Sequence, residues 1–586
     1  MLTDHEGGQS MTDQTPAGAQ EAAARLARLS DEFFEVVHSA DPFNATQLGV
    51  LGFDALVPDP SRDGSARGAR RLAAVETGLD GIDVTLLGEK DRINHAVLAR
   101  LAWGARSDLE HGLWEGNASA GCYVSPQAMV FQSVPAALLD SAGAVDGYLQ
   151  RLRGLAGYFD AVTGRYREAS RDGRVPTQVG VRQAVEQLEG HLGKDIAADT
   201  LLSVSLPDDL DAAAIRREAG GIVEAEIRPA VRRLLACLQQ ELLPVARGDD
   251  EVGIRFIPGG AEGYRAAVRR HTTTELSPEQ IHQMGLDCLA ELEAEWAELG
   301  GRALQASDVP SIRGRLREDP ALRFTGSDQI VRTVTDALRR AEEARDGWFP
   351  PYQIPDCVIE EIDPVEASNA PLAYYRPPAG GGTRPGAHCV LTSEPQRRFI
   401  YEYEALAFHE STPGHHLQIA SAQTLTDLPA YRRFLDAEVC GYVEGWGLYC
   451  ERLADEMGLY TSDLQRLGML SFDALRACRL VVDTGMHLYG WSRSQALDFM
   501  WRHTATTQAN VRNEIDRYIG WPGQALAYMV GRREIRRLRA AAEHRLGARF
   551  DIRSFHQAVL GSGAVPLGVL DQLVTRWADQ TDPSPP

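Results

Sequence analysis

The stretch Tyr401-Glu402-Tyr403-Glu404-Ala405-Leu406-Ala407-Phe408-His409-Glu410-Ser411-Thr412-Pro413-Gly414-His415-His416 decides how this chain is read. Tyr401, Ala405, Leu406 and Phe408 suit a buried helix, which puts His409 and Glu410 in the interior, where an unpaired charge is costly. A buried His-Glu pair wants a partner such as a metal ion. In a helix of the His-Glu-x-x-His type, two histidines one turn apart hold zinc and the glutamate between them activates water. Here that register fails, because Pro413 stands four residues after His409, offers no ligand and interrupts a helix. On an undistorted helix His415 would sit roughly 120° around the axis from His409, and His416 would share its face but lie ~10 Å further on. The Pro413-Gly414 pair therefore predicts a local bulge or unwinding that returns a later histidine to the ion. On these residues alone the second ligand is His415 or His416. The rival reading is a helix end carrying a surface histidine cluster.

Downstream, Glu438, Glu444 and Glu451 punctuate an otherwise weakly polar helix, Glu438 to Glu451, where carboxylates are out of place. Glu444, in its most apolar part, is the predicted third ligand. Glu451, two turns on, is either an acceptor that orients a ligand histidine or a surface ion-pair partner. A second polar island, Asp483-Thr484-Gly485-Met486-His487 with Trp491, interrupts the run that begins Leu480-Val481-Val482, and a third holds Arg517, Tyr518, Gln524 and Tyr528. His487, Tyr518 and Tyr528 are the candidate donors to a developing oxyanion. A hydrogen-bonded core histidine is the competing role for His487. Arg384 or Arg517 is placed to grip a substrate carboxylate through paired hydrogen bonds, against the commoner fate of a surface ion pair.

Upstream, helical spacing dominates. Leu26, Leu29, Phe33, Phe34 and Val37 recur at three- and four-residue intervals, and segments 143–168, 178–195, 211–245, 277–299 and 328–347 repeat the pattern. Connectors are expected around 57–68, 172–177, 258–263 and 305–325. Ser277-Pro278 marks a helix start, with Ser277 as cap. The stretch Asp356 to Ser393 reads as extended: Val358-Ile359 and Cys389-Val390-Leu391 flank a loop with Pro377-Pro378 and Gly380-Gly381-Gly382. A small sheet is predicted there, with an edge suited to binding an extended peptide. The fold class is mainly α: a large two-lobed helical body around a cleft, with a small β-sheet next to the metal-binding helix. Residues 1–20 read as a disordered leader, 21–350 as a helical N-terminal lobe and 351–580 as the catalytic lobe, the two interleaved in one folding unit.

The 586 residues carry 60 Lys+Arg against 82 Asp+Glu, a formal net charge of -22, which opposes broad affinity for nucleic acid or an anionic membrane. The Arg532-Arg533, Arg536-Arg537 and Arg539 cluster reads as a solvated helix face. Eight scattered cysteines without a Cys-x-x-Cys pair suit a reducing compartment. With no charged-then-apolar start and no run of ~20 apolar residues, a cytoplasmic location is expected.

At these residues the chain resembles the bacterial family called domain of unknown function 885, whose His-Glu-x-x-Pro-Gly-His pattern matches His409, Glu410, Pro413, Gly414 and His415. The resemblance extends to Asp41-Pro42, Ala45-Thr46, Arg384-Pro385-Gly386, Glu444-Gly445-Trp446, Asp483-Thr484-Gly485 with His487, Arg517-Tyr518, and Pro522-Gly523-Gln524-Ala525 with Tyr528, nearly the whole chain. The family is similar in fold to the helical clefts of thimet oligopeptidase-like and thermostable carboxypeptidase-like zinc enzymes, in which two His and a downstream Glu bind zinc. The resemblance implies a metallopeptidase and favours His415 over His416.

The expected activity is thus a zinc-dependent hydrolase of amide bonds in short peptides, an exopeptidase or oligopeptidase, with one Zn2+ on His409, His415 and Glu444. Glu410 would take a proton from water and return it to the leaving amine. Two alternatives stand beside it: an amidohydrolase of a small metabolite amide, and a non-catalytic zinc-stabilised binding scaffold. The partner is a short peptide or small amide, with no nucleic acid and no membrane, and the oligomeric state is open.

Overall fold

The structure, a computed structural model, describes residues 17–121, 125–206, 209–362, 371–378, 384–434 and 438–582. Residues 1–16 of the expected leader and the Gly380-Gly381-Gly382 loop lie outside them. From Ala17 the chain is already helical, in the helix Ala17–Ala40. Helices make up most of the described residues, as the apolar spacing predicts, and the extended stretch forms a small sheet. Three of the expected connectors are shorter than read, the helix Gly260–Thr272 taking up the end of 258–263 after Gly259. The helix Arg62–Asp80 takes up the end of 57–68, capped by Ser61, and the helix Val309–Glu318 lies inside 305–325, capped by Asp308 with a proline in its first turn. In both, a polar residue that reads as loop is the cap that starts a helix. The Ser277 signal is a full capping box with Gln280 at the head of the helix Pro278–Leu304.

At the centre lies the helix Asp463–His487, in which every residue from Leu467 onward is buried. A helix buried nearly all round has no face for water and must be enclosed by others. It packs on Pro278–Leu304 so closely that a Cβ on Gly285 would stand 2.7 Å from Leu480. The largest apolar core draws on residues from Ala22 to Val574, so parts of the chain before and after position 350 share it. A second core gathers around Val130, Leu152, Phe159, Leu188 and Leu234.

The Asp41-Pro42 and Ala45-Thr46 segment is a structural joint. Asp41 caps the short helix Pro42–Gln47 through the Asn44 N–H at 3.1 Å. Buried Arg151 then donates to Thr46 Oγ1 at 2.7 Å, to the Phe53 carbonyl at 2.7 Å and to the Leu56 carbonyl at 3.0 Å.

The sheet has three strands: β1 (Cys357–Glu361), β2 (Ala373–Arg376) and β3 (Gly386–Val390), in the order β1-β3-β2. β3 pairs in parallel with β1 and antiparallel with β2. Being central, it is buried throughout. It feeds the helix Tyr403–Glu410, so the sheet stands directly before the motif.

A second close approach positions the downstream acids. The helices Cys440–Glu456 and Ala527–Leu546 cross at Gly441, Gly445 and Gly531, where a Cβ on Gly531 would fall 1.8 Å from the Gly441 carbonyl oxygen. Only glycine allows the two backbones to come this near. The crossing fixes the helix that carries Glu444 and Glu451.

Candidate metal centre

The Tyr403–Glu410 helix is buried along its length except for Glu410, which is half-buried. It stops there, and a new helix, His415–Thr424, begins after Gly414. The unwinding predicted at Pro413-Gly414 is therefore a complete break between two helices, with a cis Thr412–Pro413 peptide. Glycine is required for space: a Cβ on Gly414 would lie 1.9 Å from the His409 carbonyl oxygen and 2.5 Å from that of Phe408. The tight return brings the imidazoles of His409 and His415 to 4.6 Å between centroids, nearly perpendicular at 86°.

The break is tied on several sides. The Pro413 carbonyl accepts from Trp446 Nε1 at 3.0 Å and from Cys450 Sγ at 3.2 Å, both on the Cys440–Glu456 helix. Ser411 Oγ lies 3.1 Å from His388 Nδ1 of β3 and accepts from Cys357 Sγ of β1 at 3.9 Å. Thr412 Oγ1 donates to Glu342 at 2.7 Å. His416, by contrast, turns to the sheet, its Nδ1 3.0 Å from the Tyr375 hydroxyl of β2.

Glu444 completes the cluster. Its Oε2 stands 3.5 Å from His415 Nε2 and 3.8 Å from His409 Nε2, and the three ligand atoms lie within 4.8 Å of one another. Ligand atoms at 2.0–2.1 Å from one tetrahedral zinc ion stand roughly 3.4 Å apart, so these residues fit such an ion. Burial alone would lower the His409 pKa, but the Glu444 and Glu451 carboxylates hold it up at about 9. Burial would raise that of Glu444, yet the two histidines hold it well below the usual carboxylate range. Glu410, beside His409, is pushed up by burial.

Two further residues border the cluster. Glu451, fully buried, places Oε1 2.8 Å from His409 Nδ1 and 3.2 Å from the Arg476 guanidinium. It leaves His409 Nε2 facing Glu444, the placement from which a carboxylate would orient a ligand histidine. Glu451→Gln is expected to weaken zinc affinity by roughly 10- to 100-fold, measured by competition with a chromophoric chelator; an unchanged affinity would remove this role. Gly447, one turn from Glu444, faces both rings: a Cβ there would meet His409 Cε1 at 2.8 Å and His415 Cε1 at 3.0 Å. Gly447→Ala should therefore displace the imidazoles and lower zinc affinity by about 10-fold or more, with a melting temperature that shows the fold intact.

The other predicted residues divide. His487 is a core residue with both nitrogens committed: Nδ1 accepts from the Ile254 N–H at 2.9 Å and Nε2 lies 3.0 Å from the Tyr518 carbonyl. Burial lowers its pKa to about 4, and it has no nitrogen left for an oxyanion. Its neighbours are structural as well. Asp483 accepts from the Tyr264 hydroxyl at 2.6 Å and the Gly523 N–H at 3.1 Å, and Gly485 makes room for Trp491. The Tyr518 hydroxyl is given to Glu514. Tyr528 lies close enough to Glu444 for that carboxylate to add to the rise that burial gives its hydroxyl. Arg517 is half-buried, donating to Gln524 Oε1 at 3.0 Å and Glu514 Oε2 at 3.3 Å. Arg384 is exposed, and among the described residues nothing joins it to the cluster. Sequence reasoning passed over Arg476, Arg479 and Glu514; the available signal was arginine inside the apolar run of the central helix.

No curated protein matches the chain. Among solved structures, one from Colwellia psychrerythraea is similar over 96% of this chain and 99% of its own, at 25% identity and a TM-score of 0.86. Another, from Shewanella oneidensis, shares the fold at 18% identity and a TM-score of 0.70, covering 94% of this chain and 99% of its own. Both are described as a "putative lipoprotein", the second as of unknown function. The cytoplasmic location expected from the sequence is corrected on this finding. That expectation weighed apolar runs, and a protein held by a covalent lipid needs no spanning helix. Among the described residues, no helix is long and apolar enough to cross a membrane. The family model described as "Bacterial protein of unknown function (DUF885)" matches residues 42–574, and the chain belongs to that family.

Proposed function

We propose that this chain is a metal-dependent hydrolase of amide bonds in short peptides. The observation that carries the reading is the convergence of His409 Nε2 and His415 Nε2 on Glu444 Oε2, with the half-buried carboxyl of Glu410 next to them. Two imidazoles and one carboxylate form the donor set of a three-ligand catalytic zinc site. Zinc, when bound, supplies a Lewis acid that polarises a carbonyl and makes water more acidic.

The chain's own residues do the rest. Glu410 takes one proton from water and passes it to the amide nitrogen, so that a C–O bond forms, the C–N bond breaks, and a carboxylic acid and an amine leave. Burial of its carboxyl raises its pKa and so favours holding the proton that it passes on to the amine. Glu451 holds His409 in orientation, and Tyr528, close enough to Glu444 for that carboxylate to raise its hydroxyl, is the candidate donor to the oxygen that gains charge. The likeness to proteins described as lipoproteins supports a membrane-associated setting for this chemistry.

Mass-spectrometric profiling of a mixed peptide library tests the reading. Zinc-loaded protein should generate new peptide termini that a chelated sample does not; no cleavage by either would overturn it.

A further inference from the structure

One arginine of the central helix reaches the cluster through Glu451. Arg476 is 5% exposed, and among the described residues Glu451 is the one carboxylate it pairs with, Nη2 to Oε1 at 3.2 Å. Its Nε and Nη1 are buried and have no hydrogen-bond partner among the described residues. Its guanidinium carbon lies 4.5 Å from the centre of the Phe472 ring, one turn back on the same helix. A buried arginine whose donors are left unpaired costs stability, and an apolar side chain of similar length would fill the space over Phe472 without that cost. Arg476 therefore serves a need other than packing.

That need is visible at Glu451. The terminal torsion of a glutamate is broad, so a carboxylate touched from one side only swings about its stem. Here Oε1 is met from two sides, by His409 Nδ1 at 2.8 Å and by Arg476 Nη2 at 3.2 Å. The three residues come from three helices, Tyr403–Glu410, Cys440–Glu456 and Asp463–His487. The last of these is enclosed by its neighbours, which gives the guanidinium a fixed base.

We propose that Arg476 is a positioning residue for the metal: by pinning Glu451 Oε1 it fixes the plane of the His409 ring and keeps Nε2 turned to Glu444 Oε2, 3.8 Å away. An outer partner of a ligand histidine sets the direction of the ring nitrogen that meets the ion, and Arg476 stands one contact behind that partner. This role rests on the reading of His409, His415 and Glu444 as metal ligands and does not depend on which bond is cleaved.

A double-mutant cycle on zinc affinity, read by competition with a chromophoric chelator, tests it. Arg476→Met, which keeps the packing over Phe472, should weaken zinc binding by roughly 10-fold. In the Glu451→Gln background the same substitution should change nothing, leaving the double variant within about twofold of Glu451→Gln alone. Loaded with cobalt(II), whose visible spectrum reports ligand geometry, Arg476→Met should differ from the unmodified chain. Melting temperatures show which variants are folded, and Arg476→Gln takes the place of Arg476→Met in the cycle if the latter is not. Losses that multiply in the double variant, unchanged affinity in the single one, or an unchanged cobalt spectrum overturn the role of Arg476 and leave the metal site standing. An unmodified chain that takes up no zinc overturns the metal reading and this role together. If the cycle comes out as expected and no peptide is cleaved, Arg476 keeps its role and the hydrolytic reading fails.

Discussion

Glu410→Gln is expected to cut peptide cleavage by about 100- to 10,000-fold, the usual contribution of a positioned general base, while zinc content stays at that of the unmodified chain. The substitution keeps side-chain size and removes the group that carries the proton. Glu410 lies outside the His409, His415 and Glu444 cluster, so its loss leaves all three ligand atoms in place. Its half-buried position and raised pKa follow from the same enclosure. The check is kcat/KM on a cleaved library peptide together with metal analysis of the same sample. Full activity in the variant would end the general-base role, and loss of zinc would reassign Glu410 as a ligand.

The second large effect separates two adjacent histidines. His415→Ala should lose stoichiometric zinc, with affinity down by 100-fold or more, beyond the roughly 10- to 100-fold of losing an outer partner. His416→Ala should keep its zinc. The distinction is geometric, because His415 Nε2 faces Glu444 at 3.5 Å whereas His416 Nδ1 faces the Tyr375 hydroxyl at 3.0 Å. Metal content after dialysis, read beside the melting temperature of each variant, decides it. Zinc retained by His415→Ala and lost by His416→Ala would reverse the assignment.

The helical character of the chain was legible because apolar residues recur at the spacing of a helix face, and such faces must be buried. The His409-Glu410 pair was legible for a related reason: polar groups in an apolar run need a partner. That a later histidine returns was legible in Pro413-Gly414, but which of His415 and His416 does so was not legible from these residues, because it depends on contacts distant in sequence. Trp446 and Cys450 hold the Pro413 carbonyl, and His388 and Cys357 hold Ser411. His487 misled for the opposite reason. Its partners are backbone groups of Ile254 and Tyr518, and main-chain donors and acceptors leave no trace in residue type. Arg479 and Glu514 were missed because each looks like an ordinary ion-pair residue until Arg517 is seen to share the same oxygen.

The Pro413 carbonyl, held by two side chains of the helix that bears Glu444, bears on how the protein would take up the ion proposed for this site. Fixing a residue's backbone costs roughly 1–2 kcal/mol, and here folding itself meets that cost for both histidine-bearing segments and the glutamate helix. Ion capture then requires no chain to be ordered, unlike small zinc domains that fold only around their metal. Chelation should strip the ion and leave the helical circular dichroism unchanged, and re-addition should restore occupancy as fast as the ion diffuses in and sheds its water, without a refolding lag.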